Sequence, residues 1–144
     1  MSKKRIQLTL VFLLITTVSI GVYYAYNEYT REPEKAHERK ADFNASADAF
    51  LDKFESFEDE NEALAFFDGK IIELEGEVDE VIPNGDSYDI LIGTNDPMIQ
   101  LNFNLLQKYA DRAEGISPGE KVVIRGYLTG KLMDIEFNRA IIME

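Results

Sequence analysis

The sequence predicts a mainly β protein: a five-stranded barrel of order β-β-β-α-β-β, preceded by two short helices and an N-terminal membrane-spanning helix. Three observations lead there. From residue 69 onward, apolar and polar residues alternate in runs bounded by Gly, Pro, Asn and Asp. Helical spacing interrupts that alternation once, after the third run. Near the amino terminus, one uncharged stretch is long enough to cross a bilayer.

That stretch covers residues 6–27 and follows Lys3, Lys4 and Arg5. The basic stub, residues 1–5, argues that the amino terminus stays in the cytoplasm while the remainder is translocated, and Tyr23, Tyr24, Tyr26 and Tyr29 fall where an interfacial aromatic belt belongs. A cleaved signal peptide is the competing reading. Against it, the run exceeds a usual signal core, and bulky tyrosines stand where small residues precede a cleavage site. The chain has no cysteine, which removes disulfides, thiolate chemistry, zinc–cysteine sites and a lipid-modified cysteine together.

Residues 28–41 turn charged and polar, with Pro33, and read as a juxtamembrane linker. His37 is the single histidine; alone in a solvated linker it reads as a surface residue rather than a metal ligand or proton carrier. A helical lead-in follows over residues 42–68. Asp42 to Phe57 reads as an amphipathic helix with Phe43, Ala47, Phe50, Leu51 and Phe54 on one face and Asn44 or Ser46 as its cap. A second short helix carries Ala63, Leu64, Phe66 and Phe67 before Gly69 stops it. This phenylalanine-rich stretch could be a sticky face for a partner, but phenylalanine is mostly buried, and a cover over an open side of the barrel is the preferred reading.

The barrel domain occupies residues 69–144. In Lys70 to Ile82, Ile72, Leu74, Gly76 and Val78 share one face and Glu73, Glu75 and Glu77 the other, with a slip at Asp79 and Glu80 that predicts a bulge. Pro83 to Asp86 make a tight hairpin connection. Ser87 to Gly93 is the second strand, with Leu91 expected outward beside Asp89; in the third, Ile99, Leu101 and Phe103 oppose Met98, Gln100 and Asn102. Asn104 is expected to cap a helix containing Leu105, Leu106, Tyr109 and Ala113 that Gly115 ends. Val122, Ile124, Gly126 and Leu128 then face inward on strand four. Thr129 to Lys131 are expected to turn the chain into strand five, from about Leu132 to Met143, with Ile135 and Phe137 inward and a slip to Ala140 and Ile142. This order is that of the OB-fold, a partly open Greek-key barrel.

The stretch from Gly126 to Ala140, GYLTGKLMDIEFNRA, with the Ala47 to Phe54 helix and the strand Gly69 to Gly76, resembles a bacterial family of membrane-anchored OB-fold proteins of the tRNA-anticodon-binding-like type. The likeness extends over Ala41 to Met143, and its marks are Gly69, Gly76, Gly126, Gly130, Asp134 and Asn138. It implies a fold and a location, the bacterial cytoplasmic membrane with the carboxy-terminal domain outside, and no activity, since a fold does not carry a function with it.

From Asp42 onward there are 23 acidic and 8 basic residues, about −15 against −12 for the whole chain. Such a domain repels polynucleotides. OB-folds that hold single strands use a basic groove with stacking aromatics, whereas the outward positions expected here are Ser87, Asp89, Leu91, Met98, Gln100 and Asn102. Nucleic-acid binding is therefore disfavoured despite the family's label. The row Glu73, Glu75 and Glu77 reads as a solvated outer face rather than a catalytic acid pair, because such pairs face each other across a cleft. Asp134, Glu136 and Asn138 could neighbour that strand and offer oxygen ligands to a weakly held divalent cation, though without calcium-loop spacing. Ser, Thr and Tyr have no histidine partner in the barrel, so no catalytic residue, cofactor or metal ligand is assigned. The expected function is a non-enzymatic binding or interaction module for a protein or small ligand, with a bias toward basic partners, and Glu73, Glu75, Glu77, Leu91, Met98 and Gln100 as its candidate face. An envelope enzyme accessory that binds a cation through its carboxylates is the alternative.

Overall fold

The computed structural model describes residues 2–29 and 40–143, in two compact units, residues 1–35 and residues 36–144. The linker residues 30–39, with Pro33 and His37, lie outside the described residues.

In the first unit, Lys3–Tyr29 form helix α1; within Lys3–Asn27 its most apolar 18-residue window has a mean hydropathy of 2.0, and the stretch is long and apolar enough to cross a membrane. Its serine and threonine hydroxyls within the apolar stretch bond to the helix itself. Thr9, Thr16, Thr17 and Ser19 each donate to the carbonyl four residues back, at 2.8–2.9 Å, which satisfies these four donors without solvent.

The second unit is the OB barrel. Its elements are β1 (Phe43–Ser46), α2 (Ala47–Glu55), α3 (Glu60–Phe67), β2 (Ile72–Asn84), β3 (Ser87–Ile92), β4 (Leu101–Leu105), a 3-10 turn (Gln107–Tyr109) with α4 (Ala110–Glu114), β5 (Lys121–Lys131) and β6 (Ile135–Ile142). The sheet runs β1-β2-β3-β4-β6-β5 and closes through β2–β5. β2 makes this possible by serving two neighbours in turn: Ile72 to Glu77 pair with β5, and Val78 to Asn84 pair with β3. The bulge expected at Asp79 sits at that hand-over, between Val78 and Glu80. Gly76 lies just before it, where a Cβ would overlap Ile92 and crowd Ala47.

Three expectations need correction. Phe43–Ser46 are a strand parallel to β2, not the first turn of a helix; Asp42 holds the start of this pairing, its backbone N–H donating to the Ile71 carbonyl and its carboxylate accepting from the Ile71 N–H, both at 2.8 Å. Ser46 is indeed the cap of α2, accepting from the Ala49 N–H. Strand β4 runs on through Leu105, and Asn104, instead of capping a helix, gives its amide to Asp89. Finally, β5 continues to Lys131, and the last hairpin turns at Leu132, Met133 and Asp134; Gly130 lies in a register slip opposite Glu136 rather than in a turn. The expected slip in β6 occurs at Arg139, with φ of 49°.

One core joins the barrel to the helices. Phe50 and Phe67 are fully buried, 5.1 Å apart by ring centroids, and Phe50 lies 5.4 Å from Phe137, itself stacked on Phe103 at 4.3 Å. The helices therefore complete the barrel core, as expected for the phenylalanine-rich lead-in.

Candidate functional site

The Glu73, Glu75 and Glu77 row lies on the outer face of β2, but its members differ. Glu73 accepts from the Arg125 guanidinium on β5 and, at 2.7 Å, from Asn44 on β1, so it ties three strands together. Glu75 and Glu77 are exposed and line a cleft of about 370 Å³ together with Asp48, Asp79 and Lys121. At Gly93 only backbone lines the cleft, and a Cβ there would come within 2.9 Å of the Asp79 carboxylate. The far wall of the cleft is the loop after β3, held by Asn95 N–H on the Asp48 carboxylate at 2.7 Å and Gly93 N–H on the Glu77 carbonyl at 3.1 Å. Four carboxylates against one ammonium give the lining of this cleft a net negative charge.

On the neighbouring face, the outward residues of β3, β4 and β6 form an amide–carboxylate network. Asp89 accepts from Asn84 and Asn104, Gln100 donates to Asp79 at 2.7 Å, and the Gln100 N–H donates to Asp134 at 3.1 Å. Asn102 donates to Glu136, while its own carbonyl oxygen is buried with no partner. Partial burial, then the charges of Asp134 and Asp89, raise the Glu136 pKa above the ordinary carboxylate value; the Asn102 bond opposes the rise. Neither β3 nor β4 carries a basic residue, and their aromatics, Tyr88 and Phe103, pack against or within the core.

Of the remaining predicted contact residues, Met98 is 81% exposed, and Gln100 is half-buried and committed to Asp79. Leu91 is buried and cannot serve as an exposed contact: it stands in the sheet between Glu80 and Asn102, and strands on both sides leave its short strand little open surface. The juxtaposition of Asp134, Glu136 and Asn138 with the Glu73 row does not occur, because β6 lies between β4 and β5. Among the described residues no group of three or more His, Asp or Glu is arranged to hold a metal ion. Sequence reasoning missed Asp48, Asp79 and Lys121 as cleft residues. The usable signal was the pair of glycines, Gly76 and Gly93, each ending or interrupting an apolar strand pattern.

In known structures, the barrel is similar to a lipoprotein from Klebsiella pneumoniae subsp. pneumoniae MGH 78578, assigned as nucleic acid-binding, with a TM-score of 0.60 and 16% identity over 78% of this chain and 98% of that one. Weaker likenesses include the Stn1-ten1 complex of S. pombe (TM-score 0.42, 14% identity, 51% of this chain and 58% of that one). Another is asparaginyl-tRNA synthetase from Pyrococcus horikoshii (TM-score 0.40, 14% identity, 55% of this chain and 20% of that one). No curated protein matches the chain in sequence. The tRNA_anti-like family matches residues 1–141, the apolar helix included, and the chain belongs to that family.

Proposed function

We propose that this protein is a single-pass, extracytoplasmic OB-fold binding module, not an enzyme, whose partner is a cationic protein surface. The observation that carries this reading is the cleft between β2 and the loop after β3, where Asp48, Glu75, Glu77 and Asp79 face one lysine. A polynucleotide would bring phosphates to the same carboxylates, and stacking platforms on β3 and β4 are lacking. The lipoprotein nature of the Klebsiella relative supports an envelope location; this chain, without cysteine, would use α1 as its anchor instead.

The test uses the full chain in phosphatidylcholine nanodiscs. Labelled oligolysine should associate with it, more weakly as salt rises, and labelled oligo-dT should not. Glu75→Gln with Glu77→Gln should slow association several-fold, while dissociation changes little. Oligo-dT binding at physiological salt, unaffected by those two changes, would overturn the reading. Topology has its own check: a reporter after residue 144 should be active only when exported.

A further inference from the structure

Outside α1, the most exposed large apolar side chains among the described residues are Leu132 at 87%, Met133 at 83% and Met98 at 81%. They come from two loops that hydrogen bonds hold together. Gln100 N–H donates to the Asp134 carboxylate at 3.1 Å, and Ile135 N–H donates to the Gln100 carbonyl at 3.0 Å. Leu132 N–H bonds the Asp134 carbonyl at 3.1 Å within the turn, and Met98 N–H bonds the Asp96 carboxylate at 2.8 Å. Turn geometry does not require apolar residues at such a tip: the β2–β3 hairpin turns on Gly85 and Asp86. An apolar cluster this exposed marks a contact surface, and methionine suits one that must fit an irregular partner.

The rim says what kind of partner. Asp96 and Asp134 are bonded into the two loops themselves, and Asp79 reaches Gln100, two residues from Met98. Glu136 follows the turn on β6. Lys131, the nearest cation along the chain, is directed to the Phe54 ring, 5.8 Å from its centroid. An anionic membrane surface would meet this rim of carboxylates with like charge. A protein segment with an apolar stripe flanked by lysine or arginine would complement both parts. Asp79 also lines the acidic cleft, so patch and cleft share an edge.

We propose that the β3–β4 loop and the β5–β6 turn form a docking surface for a cationic amphipathic segment of a partner protein, with Met98, Leu132 and Met133 taking its apolar stripe and the flanking carboxylates its positive charge. This rests on the reading of the cleft as a receptor for cationic protein.

The experiment compares two synthetic Leu/Lys peptides of identical composition, one with its leucines in a helical stripe and one with them scattered. Each is titrated onto the full chain in phosphatidylcholine nanodiscs, with empty nanodiscs subtracted. The striped peptide should bind more tightly than the scattered one. The triple variant Met98→Ser, Leu132→Ser, Met133→Ser should weaken the striped peptide on the order of tenfold and leave the scattered one unchanged. All three side chains are more than 80% exposed, so the variant folds; circular dichroism verifies it. Equal binding of both peptides, unaltered by the triple variant, overturns the docking surface while leaving the cationic cleft standing. Failure of both peptides and of oligolysine to bind removes the cleft reading and this one with it. A variant that loses phosphatidylglycerol vesicles but keeps the striped peptide assigns the patch to lipid and also overturns the proposal.

Discussion

Two groups of large apolar side chains lie outside the strands of the barrel, and they have opposite fates. Phe50 and Phe67, on α2 and α3, are fully buried, with Phe43 and Phe66 packed edge-on against Phe67 at 5.2 and 4.9 Å. Leu132, Met133 and Met98, on loops, stand almost wholly in solvent. Hydrophobicity is common to both groups. What separates them is periodicity: the buried phenylalanines Phe50 and Phe67 lie on helices with strands to cover, whereas Leu132 and Met133 on one turn and Met98 on another loop lie on no periodic face.

The sharpest way to break that contrast is to truncate one residue from each group and compare unfolding of the full chain. Phe50→Ala should cost about 3–5 kcal/mol, since it empties the junction of Phe43, Phe54, Phe67 and Phe137. Leu132→Ser should change stability by no more than about 0.5 kcal/mol. Similar losses in the two variants would mean that the exposed turn is structural after all. Next in size is the cap that starts the phenylalanine-bearing helix. Ser46→Ala removes the oxygen that accepts from Ala49 and should cost about 1 kcal/mol; chemical denaturation with no midpoint shift would show that the core alone holds α2 in place. The smallest effect concerns Glu136, beside the exposed turn. Its pKa is raised in the fold, so the folded chain binds its proton more readily than the unfolded chain does. The ionised form thus works against folding at neutral pH, and that penalty disappears as pH falls through the ordinary carboxylate range. Glu136→Gln should accordingly melt slightly higher than wild type at pH 7, with the difference closing at acid pH. A difference that stays constant with pH would deny the rise.

The strands of the barrel were legible in the sequence because each has its own alternation and its own turn residues, and the slips at Asp79 and before Ala140 were legible as breaks in that alternation. β1 was not, for a definite reason. Phe43, Ala47, Phe50, Leu51 and Phe54 fit one continuous helical face, while the partner that makes Phe43–Ser46 a strand is Ile72 to Glu75, distant along the chain. Local spacing cannot register a parallel pairing of that span. Gly130 misled in the opposite way: a glycine reads as a turn, yet here it serves a register slip. In the candidate site, Glu75 and Glu77 were placed correctly on the outer face, but the cleft they line needs Asp48 from a helix and Asn95 from a loop, brought to β2 by its pairings with β1 and β3. Leu91 kept its outward position and lost its exposure, which depends on neighbours and not on parity.

The pairing of Asp42 with Ile71 has a mechanical consequence. Everything from the amino-terminal side reaches the barrel through this point, where two hydrogen bonds and the four register pairs of β1 fasten the chain to β2, the strand that also bears Glu75 and Glu77. If α1 is the anchor proposed above, a pull on it would load the strand carrying the acidic cleft through the contacts of Asp42. Peeling β1 would also withdraw Asn44 from Glu73 and Ser46 from the mouth of the cleft. A pull on the proposed anchor would thus reach the proposed binding cleft through a single four-residue strand.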